Sequence, residues 1–256
     1  MGGTNVNDFM WECRKNNVPG HTTATLLGHN DSISTGERLL WDEDSAYTFP
    51  AAAATMTISS SSANDALGGT GANIVQIIYL DEDYNEITEL YNLTGQTGVT
   101  VTTDVLRSNQ FRVVFSGTGQ TNDGDIYLGT GAITAGVPAT IYNKITAGIG
   151  IARTPIYTVP LGKTWYFATW AMSTFNSTKV IELNLKVMPF GTNTWYLTTT
   201  THLSKSEYFI HSAVATGIGE KSDIQIVSSP DQAGVDASCA LGYVQINNAE
   251  INRNNA

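Results

Sequence analysis

The sequence predicts an all-β fold: two tandem, duplicated antiparallel β-sandwich units of jelly-roll-like type, preceded by an extended N-terminal arm. Three observations lead there. Charged residues make up only 14% of the 256-residue chain, well below the roughly 25% of an ordinary globular protein. Thr, Ser, Asn and Gly take their place, and these suit half-buried pleated surfaces and tight turns rather than helix interiors. From Trp41 onward strand-like segments recur roughly every 8–12 residues, the spacing of a sandwich or barrel. Finally, the second half of the chain repeats the order of events in the first.

Residues 1–40 read as the arm. Phe9, Met10 and Trp11 form a small apolar knot, followed by the turn-rich Asn16-Asn17-Val18-Pro19-Gly20 and by Thr22 to Leu27. Large apolar residues on an arm need a docking surface, so these three are the candidate subunit-interface residues.

The first sandwich is expected over 41–130. Ala54 to Ile58 alternates, and a polar Gly-rich loop from Ser59 to Gly71 closes that strand. Ile74 to Leu80 and Glu86 to Tyr91 flank Asp81-Glu82-Asp83-Tyr84-Asn85 as a hairpin with an acidic turn. Val99-Thr100-Val101, Phe111 to Phe115 and Ile126 to Leu128 follow. Residues 131–152, rich in Gly, Ala and Thr, form a linker or an edge strand.

The second sandwich is expected over 153–247, with a tail at 248–256. Tyr47-Thr48-Phe49-Pro50 recurs as Tyr157-Thr158-Val159-Pro160, and a strand follows each Pro. The hairpin of Ile74 to Leu93 recurs as Val180 to Leu197. Ser108 to Ser116 is echoed by Ser222 to Ser228, and Ile126 to Leu128 by Leu241 to Ile246. An ancient duplication accounts for this order.

A formal net charge of −10, with scattered basic residues, argues against nucleic acid as a partner, because phosphate contacts need clustered Lys and Arg. It argues equally against a peripheral membrane role. No run approaches the roughly 18 apolar residues of a membrane-spanning helix. The N-terminus lacks the apolar stretch of a secretion signal. Cys13 and Cys239 have no zinc-type spacing and read as two reduced thiols.

The motifs that suggest chemistry fail on inspection. Gly162-Lys163-Thr164 ends like a phosphate-binding loop, but Tyr157 stands where the first Gly is required and a strand follows where a helix is needed. Asp81, Asp83 and Asn85 open like a calcium loop, but Glu86 and Asn92 occupy its sixth and twelfth positions. Asp42-Glu43-Asp44 and Asn122-Asp123-Gly124-Asp125 read as solvated turns. No catalytic, cofactor-binding or metal-binding residue is assigned.

Aromatic residues are the remaining candidates for a site. Trp165, Tyr166 and Trp170 crowd one strand, with Trp195 and Tyr196 on its hairpin neighbour. Strict alternation places Trp165 and Phe167 on one face and Tyr166 and Trp170 on the other. One set is core. The other is a subunit contact or a platform for host surface glycans.

Several blocks occur in an order that resembles structural proteins of tailed bacteriophages, especially phages of aquatic bacteria. They are Met56-Thr57-Ile58-Ser59-Ser60-Ser61-Ser62-Ala63-Asn64-Asp65 with Gly69-Thr70-Gly71-Ala72, Leu80 to Glu89 with Leu93-Thr94-Gly95, and Tyr157 to Thr164. The similarity spans roughly residues 41–175. It implies a non-enzymatic β-sandwich component of the virion, with other virion proteins and copies of itself as partners. A head-exterior position (decoration, vertex or minor capsid) is the first expectation. A tail or fibre-base protein, or a carbohydrate-binding module, is the alternative.

Overall fold

β-Branched and aromatic residues alternating with Thr, Ser and Asn favour pleated strands over helices, and strands dominate the computed structural model. It describes residues 6–175, 178–204, 207–211 and 217–253. The chain begins with α1 (Val6–Arg14), β1 (His21–Ile33) and β2 (Arg38–Leu39). Next come β3 (Thr57–Ser60), β4 (Ala72–Leu80), β5 (Glu86–Asn92), β6 (Val99–Thr100), β7 (Arg107–Ser116), β8 (Ile126–Thr134), β9 (Val137–Ile145) and β10 (Ile156–Thr158). Last are β11 (Lys163–Thr174), β12 (Ile181–Met188), β13 (Tyr196–Leu203), β14 (Glu207–His211), β15 (Asp223–Pro230), β16 (Val235–Asn247) and α2 (Asn248–Arg253).

These elements form two compact units. A central unit comprises Trp41–Thr158, and a terminal unit combines Met1–Leu40 with Val159–Ala256. The central unit has two antiparallel sheets, ordered β6-β3-β8-β9 and β5-β4-β7. Alternation along β4 buries Val75, Ile77 and Tyr79 and turns Ile74, Gln76 and Ile78 outward. The buried set packs with Ile58, Ile126 and Leu128 of the opposing sheet and with Met56 and Phe111. One side chain of this kind cut to Ala costs about 2–5 kcal/mol.

The terminal unit is built likewise. One sheet runs β1-β16-β11-β14, and in the other β15 lies between β2 and β12, with β13 outside β12. Ile181, Leu183 and Leu185 of β12 are buried, as are Ile224 and Ile226 of β15 and Leu241 and Tyr243 of β16.

Apart from residues 47–50, which lie in no strand while Tyr157 and Thr158 belong to β10, the echoing blocks fall on strands at corresponding places in the order. Within β3–β8 the first strand pairs with the fourth and sixth, and the second with the third and fifth. Within β11–β16 the same pairings hold. The edge strand beside the sixth differs in origin. In the central unit it is β9, which follows β8; in the terminal unit it is β1, from the chain's beginning.

The structure corrects one expectation, the free arm, and decides between the two alternatives for residues 131–152. Much of 1–40 is not a free arm, because β1 pairs with β16 from His21↔Ile246 to Ile33↔Val235. Residues 131–152 contain the end of β8 and all of β9, an edge strand of the central unit. Each follows from the need to satisfy one side of a long strand, β16 and β8 respectively.

Candidate functional site

The aromatic candidates separate into buried and exposed. Trp165 and Trp170 are both 0% exposed, so neither ring offers a face to a sugar. Alternation placed them on opposite sides, but a bulge intervenes. Phe167 pairs with Tyr243 and Thr169 with Gly242, leaving Ala168 as the extra residue. Trp165 then lies opposite Gln245 and Trp170 opposite Leu241, four positions apart on β16 and so on one face. The Trp165 ring lies 5.5 Å from that of Tyr243, and Trp170 meets Phe167 edge-on at 6.2 Å. Tyr166 and Trp195 are half-buried, whereas Tyr196 is exposed beside Leu197 on β13.

On α1, Phe9 and Trp11 are exposed while Cys13 is buried. Phe9 stands edge-on to His21 at 5.7 Å, and the Lys15 ammonium lies 5.9 Å from the Trp11 ring centre. The side chain of Met10 lies outside the described residues. Burial raises the Cys13 thiol above its ordinary pKa and pushes that of Cys239 up to about 12, so both remain protonated and unreactive at neutral pH.

The acidic motifs are occupied by the chain itself. Asp81 Oδ1 accepts the backbone N–H groups of Asp83 and Asn85, both at 2.9 Å, which makes a side-chain-capped hairpin turn. Asp42 takes two hydrogen bonds from the Arg153 guanidinium and one from the Thr146 hydroxyl. Lys144 Nζ lies 2.6 Å from Glu43 and 3.0 Å from Asp125. Burial alone would lower the pKa of Lys144, but the hydrogen bonds to those carboxylates outweigh it and raise it to about 12. The segment expected as a solvated turn thus straps residues 41–48 against β9. Gly162, at φ +75°, turns the chain into β11, and no helix follows to hold a phosphate.

One polar centre escaped the sequence reading. Asp65 is fully buried, and its carboxylate accepts the N–H groups of Ala72 (2.7 Å), Asp123 (2.8 Å) and Gly124 (2.9 Å) and the Ser60 hydroxyl (2.6 Å). Nearby, Asn73 donates to the carbonyls of Ala66, Gly69 and Gly71. The Ser- and Gly-rich block is therefore a latch joining the 60–72 loop to the 122–124 loop. An Asp inside a Ser/Gly loop is the only signal of it in the sequence.

Two of the clefts among the described residues lie within the central unit. One, of about 420 Å³, lies between Trp41–Thr48 and Ala139–Tyr142 of β9. Its carboxylate is Glu43, already paired with Lys144. The other, of about 430 Å³, is lined by Val113–Ser116, Gln120, Thr121 and Gly148–Gly150 and contains no titratable side chain. Among the described residues no three His, Cys, Asp or Glu side chains cluster as metal ligands.

Val114, Phe115 and Ile149 give the second cleft an apolar border. Along the outer side of β5-β4-β7, Phe115 lies opposite Ile74, and Leu90 is in register with Gln76 and Arg112. Leu90 and Phe115 are about 60% exposed, and Val114, Ile149 and Ile151 about 40%. In the terminal unit the corresponding side of β12 carries Glu182, a buried Asn184 and Lys186, and β13 exposes Tyr196 and Leu197.

No protein-family description and no curated protein sequence matches this chain. Among solved structures, that of infectious bursal disease virus, Gx strain, is 10% identical and covers 89% of this chain and 71% of its own at a TM-score of 0.22. T=1 particles derived from infectious bursal disease virus give 11% identity, coverages of 90% and 70%, and a TM-score of 0.25. Likeness at that level carries neither fold detail nor function to this chain.

Proposed function

We propose that this protein is a non-enzymatic structural component of a phage particle, placed on the head exterior and assembled through its sandwich faces. The observation that carries the reading is the set of large apolar side chains exposed on and beside the outer side of β5-β4-β7. Exposed large apolar side chains at Leu90, Phe115 and Ile149, interleaved with Gln76 and Arg112, suit a surface that a partner covers. An acidic, charge-poor, turn-rich β body keeps such a protein soluble before assembly. The ordered blocks that resemble tailed-phage structural proteins are consistent with this reading. The two units descend from one ancestral sandwich, with β1 and β9 supplying the equivalent edge from opposite ends of the repeat.

The glycan reading loses its main support with the burial of Trp165 and Trp170. Exposed Phe9 and Trp11 suit a second contact with a neighbouring virion protein. Immunogold labelling of purified phage particles with antibody to this chain tests the assignment. Gold on heads is the expected result. Gold on tails alone would overturn the head placement, and unlabelled, chain-free particles would overturn the virion role.

A further inference from the structure

We propose that the open edge of β1 pairs with the β1 of a second copy, antiparallel across a twofold axis, to make one sheet continuous through both molecules. Among the described strands β1 is the terminal one of its sheet, with α1 packed against its beginning through Phe9 on His21. Its ladder with β16 runs unbroken over the ten pairs from His21↔Ile246 to Asn30↔Ala237. In an antiparallel strand every second residue turns its N–H and C=O away from the existing partner. Such a long, regular edge is a template for another strand.

Among the described strands, the edges of β9, β6, β14, β5 and β13 are blunted. β9, which holds the equivalent place in the central unit, contains Pro138 and two register shifts against β8. It is further covered by the 41–48 strap, through the Tyr47 hydroxyl on the Tyr142 carbonyl and Lys144 on Glu43. β6 and β14 are two and five residues long. β5 carries Glu86 and Glu89, and β13 is broken by a bulge opposite Leu185/Lys186. β1 has none of these devices over His21–Asn30.

Charge selects the occupant. A chain of net charge −10 repels its own copies over most of its surface, yet β1 carries a single carboxylate, Asp31, near one end. An antiparallel pairing centred near Leu27 sets Asp31 against Thr23 of the copy, so no like charges meet. Such a pair is self-complementary, as an isologous dimer requires. His29, whose ring Nδ1 lies 2.8 Å from Ser238 Oγ, adds a side-chain tie between β1 and its own β16.

Sedimentation of the full chain across a concentration series tests this, alongside Thr22→Lys/Thr25→Lys, which puts lysines at two exposed positions of the edge. The wild type is expected at twice the monomer mass and the variant at the monomer mass, with unchanged far-UV circular dichroism. A wild type that stays monomeric, or a folded variant that dimerises equally, would overturn the proposal. Should the variant misfold, hydrogen exchange on the wild type decides. Protection of β1 amides that falls on dilution supports the pairing, and protection independent of concentration refutes it. A monomer would leave the particle assignment standing on its own test.

Discussion

The Asp65 carboxylate accepts the backbone N–H of Gly124 at 2.9 Å, across a gap in sequence from one loop to another. All four partners of that carboxylate are donors: three amides and one hydroxyl. A buried anion so surrounded holds both loops, and loss of its acceptors leaves several buried donors unmet.

Asp65→Ala is expected to destabilise the central unit by about 3–5 kcal/mol. Asp65→Asn should not rescue it, because the amide turns an N–H toward donors. Urea unfolding followed by hydrogen exchange in residues 41–158 reads both. An Asn variant equal to wild type would contradict the latch.

Gly71 is the close approach that the latch demands. A Cβ there would lie 2.2 Å from Asp65 Oδ1, so Gly71→Ala should cost more than about 2 kcal/mol. Gly219, with nothing within 4 Å of its Cβ position, is the control, and Gly219→Ala should stay within about 0.5 kcal/mol. Paired thermal melts compare them.

Lys144 and Asp125 set the acid sensitivity of the strap. Burial would raise the carboxyl pKa of Asp125, but the Ala147 N–H and Lys144 outweigh it and hold it below the usual carboxylate range. A lowered pKa stabilises the fold above the unfolded value, near 4, and that contribution disappears as pH falls through the folded value. Melting temperature should therefore fall below about pH 4, and less steeply in Asp125→Asn. At neutral pH, Lys144→Met should cost about 1–3 kcal/mol, allowing for solvent around its two carboxylates.

Trp165→Ala should cost about 3–5 kcal/mol of stability through lost core packing, whereas Tyr196→Ala should change it by about 0.5 kcal/mol or less. Chemical denaturation of the two variants checks this. A Trp165 variant of wild-type stability would contradict burial of that ring.

Much of the fold was legible in local pattern. Alternation along Ile74–Leu80 and the acidic turn at Asp81–Asn85 identify the β4–β5 hairpin, and the echoing blocks beyond residues 47–50 mark corresponding strands. Non-local features were not legible. A single extra residue, Ala168, moves Trp170 to the other face, and nothing in the local string marks a bulge. The pairing of β1 with β16 joins opposite ends of the chain, and the Asp65 latch joins loops far apart in sequence. The exposed face of Leu90, Phe115 and Ile149 depends on which side of β5-β4-β7 meets the opposing sheet, which alternation alone leaves open.

The most direct test of the structural role is a cryo-EM map of intact particles. The account predicts two β-sandwich units on the head exterior, with Leu90, Phe115 and Ile149 buried against a neighbouring protein. Particles without this density, or with that face turned to solvent, would contradict it.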